Sequence, residues 1–186
     1  MSLKKLKIGL IVLLLLSFGL PLEAGYRSTL NHSTKSKQWF STENFHANII
    51  WHATYYSPKF RRAQEKRVIK KKYLDPIEAA RYIAEQEKQQ ATYDEFFIDL
   101  YARKPYENLT LGKDSFWELV LQTKSGERIK PLSIEFVEIT PYEEVMFPYV
   151  TRWSKGYRVL FPKTDLGRSF KLILRSVIGK SELKWN

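Results

Sequence analysis

Phe45-His46-Ala47-Asn48-Ile49-Ile50-Trp51-His52-Ala53-Thr54-Tyr55-Tyr56 is the stretch whose pattern decides the fold class. Phe45, Ala47, Ile49, Trp51, Ala53 and Tyr55 are apolar on one parity. His46, Asn48, His52 and Thr54 hold the other, with Ile50 and Tyr56 as exceptions. Side chains of a strand point alternately to its two faces, so this spacing predicts a strand with one face in a core and one toward solvent.

Toward the C-terminus the strand signature returns. Glu95–Tyr101, Phe116–Thr123, Ile129–Ile139, Tyr157–Phe161 and Ser169–Ile178 are each rich in aromatic and β-branched residues. Turn signals divide them: Lys104-Pro105, Ser125-Gly126, Thr140-Pro141, Pro162 with Asp165 to Gly167, and Gly179-Lys180. Thr123-Lys124-Ser125-Gly126-Glu127 reads as a hairpin connection. With Leu183–Trp185 as a last strand, the spacing predicts a mainly β chain: an antiparallel β-sandwich of about six or seven strands. Trp51, Trp117, Leu119, Leu121, Tyr157, Val159, Leu172 and Leu174 are expected in one core.

Between the first two strand segments lie two helix signatures. Ser57-Pro58 places an N-cap before a proline at the first helical position, and Asp75-Pro76-Ile77-Glu78 repeats the device with a glutamate at N3. Residues 58–72 and 76–91 are rich in good helix formers and lack a sharp apolar stripe. They read as a peripheral two-helix insertion, 58–91, after the first strand.

Toward the N-terminus, Lys4, Lys5 and Lys7 precede an apolar run, Ile8–Leu20, and Leu22-Glu23-Ala24 has the form of a peptidase site. This is the pattern of a secretory signal peptide over 1–24. The apolar run is shorter than the roughly 20 residues of a spanning helix, so cleavage is favoured over a retained inner-membrane anchor. Residues 25–44 read as a polar lead-in, and 45–186 as a single domain. The chain has no Cys, so no disulfide holds it and the core must do so alone.

The pattern Trp117-x-Leu119-x-Leu121, Gly126, Pro131, Phe147-Pro148, Trp153, Tyr157, Phe161-Pro162 and Leu183-x-Trp185 resembles a family of uncharacterised exported bacterial proteins, chiefly over the C-terminal half. The resemblance implies an immunoglobulin-like sandwich in the periplasm or outside the cell. It implies no activity, and no functional residues carry over.

The formal charge is +11, from 31 basic and 20 acidic residues. Removing three Lys and one Glu with residues 1–24 leaves +9. Lys59, Arg61, Arg62, Lys66, Arg67, Lys70, Lys71 and Lys72, against Glu65 alone, account for +7 of it. That helix is the candidate surface for an anionic envelope component, unless it is simply a solvated face. Contact with the membrane would be transient once the signal is cut, and nucleic acid is disfavoured for an exported chain. Phe147, Tyr149, Arg152 and Trp153 form a second candidate, an aromatic binding loop, with burial of Phe147 and Trp153 in the core as the plainer reading.

Catalytic signatures are weak. His46 and His52 share a strand face but lie about 20 Å apart, too far to ligate one metal, and His32 falls in the lead-in. Asp94, Glu95 and Asp99, Glu135 and Glu138, and Glu143-Glu144 offer carboxylates that read best as outward charges protecting sheet edges. No phosphate loop or nucleophile elbow occurs. The expectation is therefore a non-enzymatic exported binding module with no cofactor, no metal and no catalytic residues, whose partner is an anionic envelope component or another envelope protein. The alternatives are an envelope-polymer hydrolase using paired carboxylates and a structural subunit that assembles through strand edges.

Overall fold

The computed structural model describes residues 20–40, 47–103, 109–113, 115–177 and 179–186, and over these the chain is mainly β. Helix α1 (Leu20–Ser33) leads into β1 (Thr34–Phe40) and β2 (Ala47–Tyr55). Helices α2 (Pro58–Lys72) and α3 (Pro76–Thr92) precede β3 (Tyr93–Ala102), β4 (Glu118–Gln122), β5 (Arg128–Ile129) and β6 (Ser133–Val137). A short α4 (Pro141–Met146) and strands β7 (Lys155–Pro162), β8 (Phe170–Ser176) and β9 (Gly179–Trp185) complete the order. The strands form two antiparallel sheets, β1-β2-β3-β7-β6 and β5-β4-β8-β9.

Alternation builds the core between the sheets. Ile49, Trp51 and Ala53 of β2, Phe96, Ile98 and Leu100 of β3, and Tyr157, Val159 and Phe161 of β7 meet Leu119, Leu121, Leu172, Leu174, Leu183 and Trp185 of the other sheet in one cluster. All eight core residues expected from the sequence, Trp117 included, belong to it. Phe96 is fully buried, and its ring lies 5.6 Å from those of both Phe161 and Trp185. Burying one such side chain is worth about 1.5–3 kcal/mol. The indoles keep hydrogen-bond partners: Trp51 Nε1 donates to Ser181 Oγ, and Trp185 Nε1 to the Ser33 carbonyl, each at 2.9 Å. At Gly179 a Cβ would stand 2.9 Å from the Trp39 ring, so only glycine lets β1 and β9 approach this closely.

Four expectations are corrected. The described residues hold nine strands, and the two-helix segment follows the second strand. Residues 25–40 are no extended lead-in: Tyr26 and Leu30, four apart on one face of α1, are each 3% exposed, and β1 pairs along β2. The stretch read as one strand over 129–139 is two. Ile129 pairs with Leu121 in one sheet and Ser133 with Leu160 in the other, and Pro131, which has no N–H to donate to a ladder, lies at the crossing. Thr140-Pro141, read as a turn, begins α4, where Thr140 and Glu143 complete a capping box.

The outer face of the five-stranded sheet is not solvent. β3 is its central strand, and seven consecutive residues, Asp94–Leu100, are buried on both parities. Phe97 stacks on Phe147 at 4.1 Å, and a second cluster joins them to Tyr26 and Leu30 of α1, Phe60 and Val68 of α2, Met146 and Val150. The polar parity of β2 is therefore covered in part: Thr54 is fully buried.

Candidate anion-binding groove

The caps that mark α2 in the sequence form as expected. Ser57 Oγ accepts from the Phe60 amide at 3.2 Å, and Pro58 occupies the first turn. Only Phe60 and Val68 are buried apolar residues of the helix; Arg61, Gln64, Glu65 and Arg67 are buried with them. The inner face of α2 is thus partly ionic. Arg61 Nη2 donates to Glu95 Oε2 and Nη1 to Gln86 Oε1, each at 2.7 Å. Arg158 Nε reaches Glu95 Oε1 and its Nη2 reaches Gln89 Oε1, each at 2.8 Å. Glu95, on β3, is clasped by two guanidiniums, and α3 supplies amides to both. Burial works against the charge on Arg158, and Glu95 outweighs it, leaving the guanidinium held above its ordinary range. The Arg61 guanidinium also lies over the Tyr56 ring at 5.2 Å.

These contacts fix the rotation of α2 about its axis. With Arg61 turned inward, Lys59, Arg62, Lys66 and Lys70, spaced three and four apart, share the opposite side. There α2 and α1 enclose a groove of about 440 Å³. Gly25, Tyr26 and Thr29 form one wall, and Lys59, Arg62, Ala63, Lys66, Arg67, Lys70 and Lys71 form the other. Arg67 is nearly buried, with its guanidinium 4.4 Å over the Tyr26 ring and Nη2 donating to the Val145 carbonyl at 3.1 Å. Tyr26 in turn donates to the Met146 carbonyl at 2.7 Å, which pins α1 against α4. Lys59, Arg62, Lys66, Lys70 and Lys71 make no salt bridge among the described residues.

The eight cations expected on one basic surface therefore divide. Five line the groove with no acidic side chain beside them among the described residues, and Arg67 braces its wall. Arg61 is withdrawn into the fold, and the ammonium of Lys72 lies 5.2 Å from the Tyr142 ring. The α1 wall was missed in the sequence. Its one local signal was the four-residue spacing of Tyr26 and Leu30 within a polar segment.

The aromatic loop divides as well. Phe147 is a plug in the second cluster, and Tyr149 stacks on His52 at 4.9 Å and shares a hydrogen bond with Thr54 at 2.6 Å. Trp153, expected in the core on the plainer reading, is 73% exposed, with Arg152 5.4 Å from its ring. The four do not converge on one site.

The β3 carboxylates are corrected too. They are not edge charges, because β3 is the centre of its sheet. Asp94 accepts from Lys163, the Thr164 amide and Tyr55; Glu95 joins the arginine clasp; Asp99 Oδ2 lies 2.9 Å from His52 Nδ1. Asp99 Oδ1 is buried without a hydrogen-bond partner. Glu135, Glu138 and Glu144 are exposed, and Glu143 serves the α4 cap. His32 is exposed at the end of α1, and His46 lies outside the described residues, among which no cluster of three or more metal-ligating side chains occurs. The chain matches no family model, no curated protein and no solved structure.

Proposed function

We propose that the protein is an exported, non-enzymatic β-sandwich module that binds an anionic component of the cell envelope in the groove between α1 and α2. The observation that carries this reading is the concentration of positive charge in the groove. Lys59, Arg62, Lys66, Lys70 and Lys71 converge on one concavity, and among the described residues no acidic side chain lines it. Like charges held this close repel, and an anion seated among them removes that cost. The concavity matters as much as the charge, since a groove excludes part of the water that screens a convex surface.

Export is supported by the tripartite N-terminus alone. The absence of catalysis is supported by the state of the carboxylates, since Asp94, Glu95 and Asp99 are buried in partnerships rather than aimed into a cleft.

The test is titration of the full chain with inorganic polyphosphate over a salt series. Binding should weaken as salt rises. Replacing Lys59, Arg62 and Lys66 together with Gln should lower the slope of log affinity against log salt by about 2–3. The melting temperature should not fall, because the substitutions remove mutual repulsion and none of the three makes a salt bridge among the described residues. A slope that survives the triple substitution would place the anion elsewhere and end this reading.

A further inference from the structure

We infer that the protein forms a two-fold dimer in which β6 pairs antiparallel with β6 of a second copy, with Ile134 on the axis. The pairing does not involve the groove between α1 and α2.

The sheet edges are not alike. β1 and β6 end one sheet, and β5 and β9 end the other. An unpaired edge offers its N–H and C=O groups to another chain, and charged side chains or a very short strand ordinarily protect it. β1 carries Lys35 and Lys37, and β9 carries Lys180, Glu182 and Lys184. β5 is two residues long. β6, Ser133-Ile134-Glu135-Phe136-Val137, has Glu135 alone. Among the described residues no strand pairs with its outer side.

Exposed apolar side chains gather at the same edge. On the β1 side Gly179 of β9 meets the Trp39 ring and the two sheets close on each other. On the β6 side they part, leaving a cleft of about 490 Å³ between residues 130–134 and Trp117, Glu118 and Leu119. Ile134 packs against the core. Leu132 and Phe136, two positions to either side and so on the same parity, are 62% and 65% exposed. Phe136 keeps Tyr157 as an aromatic neighbour, with the rings 5.9 Å apart. Large apolar side chains beside an unpaired backbone mark a surface that another strand covers.

The covering strand is a second β6 because this segment is complementary to itself in one register. With the two-fold axis at Ile134, Leu132 faces Phe136 of the second copy on either side of the axis, and Ser133 faces Glu135. Lys130, whose ammonium also lies 3.3 Å from Glu118, comes level with Glu138. The exposed apolar residues cover each other and unlike charges meet at the ends. Moving the axis to Glu135 sets that carboxylate against its own copy, and moving it to Ser133 sets Phe136 against Lys130. Pairing joins two five-stranded sheets into one whose ends are the lysine-bearing β1 strands, so the assembly closes at two copies.

Sedimentation equilibrium of the full chain over a concentration series tests this, with Phe136→Lys as the variant. An inward-pointing lysine is the device that protects other edges. Because Phe136 is exposed, the variant should melt like the wild type. The wild type should sediment as a dimer, and Phe136→Lys should raise its dissociation constant by about tenfold or more. The register is read by cross-linking. The chain has no Cys, so a single cysteine can form a disulfide only with another copy. Residues facing each other across an antiparallel pair have Cα atoms about 4.5–5.5 Å apart, within the span of a disulfide. Ile134→Cys should therefore give a covalent dimer under oxidising conditions, and Lys37→Cys on β1 should not. A monomer at every concentration overturns the inference, as does a dimer that Phe136→Lys leaves unchanged. Cross-linking at 37 and not at 134 would put the contact at the other edge and overturn it equally.

Discussion

The five-stranded sheet is covered on both faces, and the two coverings are unlike. Toward the four-stranded sheet lies a dry layer of Trp, Phe, Leu, Ile and Val, in which two indole N–H groups find their partners. Toward the helices lies a mixed layer. Its apolar residues, Tyr26, Phe60, Phe97 and Phe147 among them, alternate with Arg61, Glu95, Arg158 and the His52–Asp99 pair. Apolar contacts are non-directional, so a dry layer holds two sheets together without dictating much else. Charge-assisted hydrogen bonds are directional. Arg61 on Glu95 sets which side of α2 faces in, and so which side carries the groove. The dry layer supplies stability; the mixed layer supplies orientation.

Phe96→Ala would test the first half of that contrast and should have the largest effect. Emptying a fully buried ring site should lower unfolding stability by about 3–5 kcal/mol in urea titration. At temperatures where the variant remains folded, polyphosphate affinity should be unchanged. A loss of affinity there would mean that the two layers are not separable.

Arg61→Ala tests the second half. It leaves Glu95 buried with one guanidinium in place of two, and should cost about 3 kcal/mol. Unlike Phe96→Ala, it should also weaken polyphosphate binding, although Arg61 does not line the groove. Stability lost with affinity intact would show that α2 is positioned by Phe60 and Val68 alone.

The smallest of these effects is the response to alkali, which should come from the mixed layer. Burial raises the phenols of Tyr56 and Tyr149 well above the ordinary tyrosine range, and the nearby carboxylates Glu95 and Asp99 add to the shift. A folded-state pKa above the unfolded one contributes stability that is fully present below about pH 10 and declines as pH rises toward the folded value. Between pH 10 and 11 each tyrosine should remove about 1 kcal/mol, read as a falling urea midpoint. Tyr149→Phe should flatten that fall.

Much of the β architecture was legible because alternation and strand-rich composition between turns are local patterns. β2 lies where period-two spacing put it, β3, β4, β7 and β8 lie where aromatic and β-branched segments between turn signals put them, and α2 and α3 begin at Ser57-Pro58 and Asp75-Pro76 as the caps specified. What escaped was set at a distance. β1, Thr34-Lys35-Ser36-Lys37-Gln38-Trp39-Phe40, carries little apolar content and is a strand because β2 pairs with it. The run over 129–139 looked continuous, but its two halves find partners in different sheets. The candidate site was half legible: the cations stand out in any reading of 59–72, whereas their opposite wall, Gly25, Tyr26 and Thr29, lies in a segment whose composition resembles a linker.

By itself the sequence determined the two-sheet, mainly β class, the capped helices and the concentration of positive charge on α2. Each depends on residues within a few positions of one another, where spacing alone settles which face a side chain takes. Only the tertiary structure decided which of those charges are used inside. Arg61 and Arg62 are adjacent and chemically identical, yet one is 1% exposed against Glu95 and the other faces the groove. Nothing local distinguishes them. The difference is made by Glu95, 34 residues further along the chain, which β3 delivers beneath α2 at the height of one arginine and not the other.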